Sequence, residues 1–303
     1  MLKSRRWLRR SGFHLLKLLA RVGAWAGPAR LRKLGEALGS AHFRLGAAKR
    51  KRLLTQMSIL MPERAASGTL PARLQEAYRV NDRAILEILA AYSGALDGGE
   101  LARACRLENT SVLDQSLDEG KGVVLLGMHM GNGVALAIHL AHRGYPVSVV
   151  YRESNKISPS FFARGIERNG VHAIGATPAS AGFRRMLRAL RSGGIIFILM
   201  DQASKKGGIP AHFLGKNLQM PPGPAELARR TGAPVIPVLL CGTHDGWQFR
   251  LGEPIKLDRS QPLDEQVKML TGRMEEHILS HPQWWTWHQR RWHRYPFGST
   301  TDN

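Results

Sequence analysis

The sequence predicts an α/β protein with a central, mainly parallel sheet flanked by helices. Short, continuous apolar runs predict strands that are buried on both faces. These runs cover residues 122–128, 147–151, 171–175, 195–200 and 235–240. Helical patterns alternate with the runs, near residues 133–143, 157–168, 181–191 and 222–231. Strands that alternate with helices at this spacing are typical of a parallel sheet covered by helices.

Length and composition are those of a folded protein with a substantial core. The chain has 303 residues, of which 43% are hydrophobic and 22% charged. These values exclude collagen-like, disordered acidic and polytopic membrane proteins. The two cysteines, Cys105 and Cys241, lack a metal-binding spacing. We therefore expect no disulfide framework and no metal site, and a reducing compartment.

The net charge of the chain is strongly positive and unevenly distributed. The 44 Lys and Arg against 23 Asp and Glu give +21. Residues 1–52 contain 15 basic residues and one acid, Glu36, so they carry 15 − 1 = +14 of this charge. Such an excess predicts a polyanionic partner. We interpret residues 1–52 as a basic, membrane-associating arm that precedes one α/β domain over residues 53–303.

The start of this arm has the pattern of an amphipathic basic helix. Its apolar residues recur at helical spacing, at Leu8, Leu15, Leu18, Leu19, Val22 and Trp25. Lys17 and Arg21 interrupt the pattern that a signal peptide or a membrane-spanning helix would need. A helix of this kind can lie in the headgroup plane of an anionic membrane. The residues predicted to contact the membrane are Trp7, Arg9, Arg10, Lys17, Arg21 and Trp25.

Two other interpretations of the arm remain open at this point. The helix could pack on its own domain, and the basic run over residues 49–52 could contact nucleic acid. No nucleic-acid-binding motif accompanies that run, so we expect no nucleic-acid partner. Residues 53–120 are predicted to form a helical lead-in, because their apolar positions lie among charges without strand-like alternation. No Gly/Ser/Pro-rich linker divides the chain.

Polar side chains follow three of the predicted strands. His129 comes after the first strand, Arg152 after the second and Asp201-Gln202 after the fourth. Ligands bind at the carboxyl ends of strands in sheets of this type. Each residue also has a structural interpretation, as a buried hydrogen-bonded histidine, a surface ion pair or a turn cap. Together they predict a site in which His129 is a general base.

These residues and their surroundings resemble the lipid A biosynthesis (lauroyl/myristoyl) acyltransferase family of the lysophospholipid acyltransferase superfamily. The segment GMHMGNG at residues 127–133 is similar to that family, as are Arg152 and Asp201-Gln202 in their order and spacing. The C-terminal block at residues 285–292, WTWHQRRW, and Met61-Pro-Glu lie in the corresponding places. The resemblance covers nearly the whole chain.

The resemblance implies a glycerolipid acyltransferase-like fold and an acyltransferase activity. The donor would be an acyl thioester, on acyl carrier protein or CoA, and the acceptor a hydroxyl or amine of a lipid. The enzyme would be peripheral, on the cytoplasmic face of the cell inner membrane, with the anionic membrane surface and acyl carrier protein as partners. It would need no cofactor and no metal. The implied catalytic residues are His129 and Asp201, and the implied substrate-binding residues are Gly131, Asn132, Arg152 and Gln202.

The sequence departs from the family pattern at two positions. Val134 stands five positions after His129, where the family motif has a carboxylate, and Gln289 stands where the C-terminal block usually has histidine. Asp201 can replace the missing acid if its strand lies close to that of His129. The alternative hypothesis is a catalytically impaired homologue that binds an acyl chain or acyl carrier protein.

The C-terminal tryptophans and arginines have two interpretations. They can form a belt at the membrane interface, or the segment can dock on the protein core. The residues concerned are Trp284, Trp285, Trp287, Trp292, Arg290, Arg291 and Arg294.

Overall fold

A seven-stranded sheet lies at the centre of the computed structural model, which describes residues 2–152, 160–204, 207–288, 292 and 295–297, with side chains from residue 12 onward. Helices cover the sheet, so the predicted α/β fold is confirmed. Five neighbouring strands are parallel to each other, and two strands at one edge run in the opposite direction.

The described residues form nine strands. They are β1 (Cys105–Glu108), β2 (Val123–Gly127), β3 (Val147–Tyr151), β4 (His172–Gly175), β5 (Ile195–Leu199), β6 (Ile209–Phe213), β7 (Lys216–Met220), β8 (Val235–Gly242) and β9 (Trp247–Leu251). The main sheet has the order β1-β9-β8-β2-β5-β3-β4, and β6 and β7 form a separate antiparallel hairpin. The order places β2, β5 and β3 side by side in the middle of the molecule.

Twelve α-helices and one short 3₁₀ helix, at Pro282–Trp284, lie in the described ranges. The α-helices are α1 (Leu2–Trp25), α2 (Pro28–Leu45), α3 (Ala47–Leu60), α4 (Pro62–Ala66), α5 (Leu70–Tyr92), α6 (Gly98–Arg103), α7 (Thr110–Asp118), α8 (Gly133–His142), α9 (Phe161–Arg168), α10 (Ala179–Arg191), α11 (Gly223–Thr231) and α12 (Leu263–Ser280).

The five predicted strands correspond to β2, β3, β4, β5 and β8, and the four predicted helices to α8 through α11. All residues of β2 are buried, as its continuous apolar run predicts. The prediction that residues 53–120 are wholly helical is wrong, because β1 lies within them. This strand of four residues pairs with β9, from a distant part of the sequence. Strands β6, β7 and β9 were not predicted, because their apolar residues alternate with polar ones over only five positions.

The basic N-terminal region packs on the rest of the chain through α2. Gly35 and Gly39 lie so close to α5 that an added Cβ would approach the Cα atoms of Arg83 and Arg79 to 2.5 Å. The absence of side chains at these two glycines therefore sets the helix contact. The predicted boundary at residue 52 lies inside α3.

Helix α1 is present, as predicted, and one of its faces is apolar and exposed. Leu15, Leu18, Val22 and Trp25 follow one another at intervals of three and four residues, and Trp25 is 90% exposed. We call these four residues the apolar stripe. No helix in the described ranges combines the length and the apolar character needed to cross a membrane. The side chains of Trp7, Arg9 and Arg10 lie outside the described residues.

The C-terminal tryptophans form part of the core. Trp285, Trp287 and Trp292 are buried, and their rings meet edge to face at centroid distances of 4.9 to 5.8 Å. Trp284 is half-buried and stacks on His281. The interpretation as an interface belt is therefore wrong for the three buried rings, and the docked segment is correct. Gln289, Arg290, Arg291 and Arg294 lie outside the described residues.

A buried lysine holds the β6–β7 hairpin against this segment. Lys216 is fully buried, and its Nζ donates to the carbonyl oxygen of Trp292 at 3.2 Å. The ammonium group also faces the rings of Trp292 and Phe297, at 3.9 and 4.8 Å from their centroids. Burial and the charge of Arg52 lower the pKa of Lys216 from 10.5 to about 8. The protonated amine therefore opposes folding at neutral pH.

We expect the stability contribution of Lys216 to increase as the pH rises from 8 to 10.5. In this range the unfolded chain holds the proton that the folded chain has released, so alkali favours folding at this position. A pKa lowered from 10.5 to about 8 corresponds to about 3 kcal/mol. The unfolding free energies of the wild type and of Lys216→Met are measured with urea, and the difference between them should change between pH 8 and pH 10.5. Lys268→Met, an exposed control, should leave the pH dependence unchanged. An unchanged difference for Lys216→Met would contradict this expectation.

Candidate active site

The two candidate catalytic residues lie at the carboxyl ends of neighbouring parallel strands. β2 and β5 pair in register, with Gly127 opposite Leu199. His129 and Asp201 each come two residues after the end of their strand. The structure therefore brings together two residues that are 72 positions apart in the sequence.

The Asp201 carboxylate is fully buried and accepts three hydrogen bonds. The Nδ1 of His129 donates to one oxygen at 2.7 Å. The backbone N–H of His129 and the indole Nε1 of Trp285 donate to the other oxygen, at 2.8 and 2.7 Å. These donors replace the water that burial removes from the carboxylate.

The balance of these effects keeps Asp201 ionised. Burial acts to raise the pKa of the carboxyl group, but the charge of His129 and the hydrogen bonds from His129 and Trp285 outweigh it, and the pKa lies below its usual value. An ionised carboxylate has no proton to donate, so the hydrogen on Nδ1 belongs to the imidazole. In the neutral ring, this leaves the lone pair of His129 on Nε2.

The Nε2 side of His129 is the accessible side. The His129 side chain is 32% exposed, whereas that of Asp201 is completely buried. The side-chain nitrogen of Gln202 lies 3.2 Å from Nε2 and donates to its lone pair. The arrangement is that of a base oriented from behind by a carboxylate, with an amide beside its reactive nitrogen.

Trp285 completes the site, and sequence reasoning assigned it no catalytic contact. Met130 pairs with Trp285 as an isolated antiparallel bridge, and the N–H of Thr286 donates to the carbonyl of His129 at 3.2 Å. The C-terminal segment is thus bonded to the His129 loop through its backbone and to Asp201 through its indole. The sequence signal for this contact was weak: a buried tryptophan usually has a partner for its N–H group, but the sequence left the burial of Trp285 open.

Two of the predicted substrate-binding residues, the half-buried Gly131 and the buried Asn132, pack against the interior of the protein. Gly131 has a φ of +61°, and an added Cβ would lie 2.9 Å from the side chains of Leu240 and Trp247. Asn132 is fully buried. Its Oδ1 accepts from the N–H of Ala135 and so caps α8. Its amide nitrogen donates to Glu87 at 3.0 Å.

Glu87 of α5 is the centre of a buried polar network behind the His129 loop, which sequence reasoning did not identify. Its carboxylate accepts hydrogen bonds from Arg83 at 2.9 Å, Asn132 at 3.0 Å and the indole of Trp247 at 2.6 Å. The guanidinium of Arg83 also lies 4.1 Å from the centroid of the Trp247 ring. The network connects α5 and β9 to the loop that carries His129.

The remaining site residues lie at the surface or partly buried. Arg152 follows β3 on the same sheet edge as His129 and is exposed. Val134 lies partly buried in the first turn of α8. Asp201, from β5, occupies the position at Nδ1 where an orienting acid is needed. Within the described ranges, no group of three or more His, Cys, Asp or Glu side chains is arranged to hold a metal ion.

Glu87→Ala should destabilise the protein by about 3–5 kcal/mol, because it removes the buried carboxylate that accepts hydrogen bonds from Arg83, Asn132 and Trp247. The second carboxylate near Arg83, that of Glu36, lies 3.9 Å from the guanidinium and stays in place. Urea unfolding measures this change. Glu76→Ala, on the same helix but in a surface pair with Arg79, should destabilise the protein by no more than about 1 kcal/mol. Equal effects of the two substitutions would show that the Glu87 network does not hold the loop.

Comparison with known protein families identifies the class of the chain. Residues 1–294 match the family model of the bacterial lipid A biosynthesis acyltransferases. The chain therefore belongs to this family, and its class is that of the acyltransferases of lipid biosynthesis.

Among individual relatives are two enzymes named phosphatidylinositol mannoside acyltransferase. The protein of Mycolicibacterium smegmatis is 27% identical over 204 residues, which are 65% of this chain and 66% of the relative. The protein of Mycobacterium tuberculosis H37Rv is 26% identical over 185 residues, 59% of this chain and 57% of the relative. The chain thus matches just under two thirds of the first relative's length and less of the second.

Proposed function

We propose that this protein transfers a fatty acyl group from an acyl thioester to a hydroxyl or amine of a lipid acceptor at a membrane surface. The observation that carries the proposal is the 2.7 Å hydrogen bond between Nδ1 of His129 and the buried carboxylate of Asp201. It leaves Nε2 as the proton acceptor on the exposed side of the ring. Membership of the acyltransferase family supports the class of reaction.

In the proposed reaction, Nε2 of His129 takes the proton of the acceptor O–H or N–H. The acceptor atom attacks the thioester carbonyl carbon, and the carbonyl electron pair moves onto oxygen. When this intermediate collapses, the C–S bond breaks, and the proton on Nε2 passes to the departing sulfur. The products are the acylated lipid and the free carrier thiol.

The side chains around His129 have separate roles in this proposal. Asp201 stays ionised and stabilises the imidazolium that forms during the reaction. Gln202 lies beside Nε2, where its amide can contact the acceptor or the thioester oxygen. Arg152, exposed at the same sheet edge, can bind an anionic group of a substrate. Gly131 and Asn132 shape the loop from within and act as positioning residues.

The N-terminal helix supports the membrane surface in this proposal. The apolar stripe of α1 is exposed to solvent, and cations flank it on the same helix. We propose that the protein binds peripherally to the anionic cytoplasmic face of the inner membrane and takes its donor from acyl carrier protein or CoA. No cofactor or metal is needed in this scheme, and no nucleic acid is a partner.

For the acyl acceptor, we propose a chemical class of lipid. The family name refers to lipid A, and the names of the relatives refer to mannosides of phosphatidylinositol. All of these are phosphate-bearing glycolipids, so we propose an acceptor of that kind. Mass spectrometry of the lipid fraction from cells with and without this protein would test the acceptor. A missing acylated glycolipid is the expected result, and an unchanged lipid fraction would contradict the proposal.

The alternative is an impaired homologue that binds an acyl chain or acyl carrier protein, an idea motivated by Val134. Asp201 removes the main reason for this alternative, because the imidazole already has an orienting carboxylate. Binding of acyl carrier protein without hydrolysis or transfer of its acyl group would favour the impaired homologue.

Removing either member of the His129–Asp201 pair should abolish or strongly reduce acyl transfer. His129→Ala removes the base. Asp201→Asn should lower kcat by up to about 10⁴-fold, because an amide can donate to Nδ1 and so favours the wrong tautomer. The assay follows label from acyl carrier protein or CoA thioesters into a lipid extract. His172→Ala, at an exposed histidine of β4, is the matched control and should retain activity. Full activity of His129→Ala would refute the proposed mechanism.

Val134→Glu should leave kcat/KM within about tenfold of the wild type, a change of less than about 1.4 kcal/mol. The reason is that Nδ1 carries one hydrogen, which Asp201 already accepts. Val134→Gln controls for the size of the new side chain. A gain much larger than tenfold, specific to glutamate, would show that Asp201 is not the orienting acid.

A further inference from the structure

A cationic pocket lies apart from the His129–Asp201 site, between α1, the end of α5 and α9. Its volume is about 260 Å³. Four basic side chains line it, Lys17 and Arg21 from α1 and Arg164 and Arg168 from α9, together with the rings of Tyr92 and Phe161. We call these four basic residues the cationic cluster.

The members of the cationic cluster come in two pairs on opposite walls. In each pair the residues are four positions apart, so they lie one turn from each other on the same face of their helix. Two contacts orient the cluster. Lys17 lies 4.9 Å from the centroid of the Phe161 ring, and a guanidinium nitrogen of Arg168 donates to the carbonyl of Tyr92 at 3.2 Å.

The charge of the cluster is not neutralised by the part of the chain that the structure describes. No carboxylate there lies within 4 Å of any of its four charged groups, although surface ion pairs occur elsewhere in the protein. Four cations around one pocket repel one another, and a bound anion would convert this repulsion into attraction. Guanidinium groups are suited to phosphate, because they donate two parallel hydrogen bonds.

The position of the pocket relative to the apolar stripe indicates the source of the phosphate. With about 100° per residue on α1, Lys17 and Arg21 lie between the buried face, which contains Ala20 and Gly23, and the apolar stripe. Around the axis of α1, the centre of the apolar stripe lies about 100° from the midpoint between Lys17 and Arg21. If the stripe enters the acyl region of a bilayer, the pocket opens at its edge, at the depth of the headgroups.

We propose that this pocket binds the phosphate of an anionic phospholipid headgroup at the edge of the inserted α1 helix. The proposal rests on the membrane association given under the proposed function. It adds Arg164 and Arg168, on a helix from a distant part of the sequence, to the membrane contact. A headgroup held between α1 and α9 would fix the orientation of the protein on the bilayer.

The test measures binding of the full-length protein to vesicles of phosphatidylcholine doped with phosphatidylglycerol, by co-sedimentation. The pocket variants are Arg164→Gln/Arg168→Gln and Lys17→Gln/Arg21→Gln. The matched control is Arg184→Gln/Arg188→Gln, which removes the same charge from two exposed positions, also four apart, on α10. That helix packs against α11 and β5. Circular dichroism verifies folding, and the two pocket variants test opposite walls independently.

Each pocket variant should bind these vesicles about 30-fold more weakly than the wild type, because each of its two cations contributes about fivefold, or about 1 kcal/mol. The control should change affinity by no more than about threefold, because it leaves the pocket intact. Equal losses in the pocket variants and the control would show diffuse attraction to the membrane and overturn the proposal. No loss in a folded pocket variant would overturn it as well.

A second experiment distinguishes the phosphate of a lipid headgroup from a soluble phosphate as the ligand of the pocket. In the first measurement, the wild type is titrated calorimetrically with inorganic phosphate in the absence of vesicles. It should show no binding at phosphate concentrations equal to the lipid concentrations at which vesicle binding saturates. Binding of phosphate that the pocket variants abolish, with unchanged vesicle affinity, would assign the pocket to a soluble phosphate and overturn the lipid assignment. His129→Ala should bind vesicles like the wild type. The two proposals can therefore fail separately, the acyl-transfer proposal in the transfer assay and the headgroup pocket in the vesicle assay.

Discussion

The burial of the Asp201 carboxylate is the constraint on which the site depends. A carboxylate taken out of water must be surrounded by hydrogen-bond donors, and here they come from the His129 ring, the His129 backbone and the Trp285 indole. These donors belong to the end of β2 and to the C-terminal segment. One buried charge therefore fixes the relative positions of two parts of the chain that are far apart in sequence, and sets the tautomer of the imidazole.

The interior behind the site follows the same principle. Glu87 is surrounded by donors from its own helix, from the His129 loop and from β9, and Arg83 compensates its charge. The His129 loop thus lies between two buried carboxylates, one on each side. Lys216 shows the contrasting case, because it is buried without a carboxylate partner among the described residues, and its pKa falls. The C-terminal segment that it contacts is the one that carries Trp285.

The surface divides into regions with different chemistry. On α1, the apolar stripe and the two cluster residues Lys17 and Arg21 lie on adjacent faces, and α2 attaches the N-terminal region to the core through close contacts at Gly35 and Gly39. The proposed membrane contact is therefore attached to α5, the helix whose Glu87 accepts a hydrogen bond from Asn132 in the His129 loop.

The sequence by itself determined the α/β class, the five buried strands, the amphipathic α1 helix and the identities of His129 and Asp201, because periodicity and strand ends are local properties. It did not reveal β1, since only two apolar residues, Cys105 and Leu107, alternate there with charged ones, and the strand depends on its partner β9. Only the tertiary structure decided that Asp201 lies at Nδ1 of His129, that Asn132 faces the interior and that the C-terminal tryptophans are buried. These outcomes depend on the order of strands in the sheet and on packing between distant segments, which no local pattern encodes.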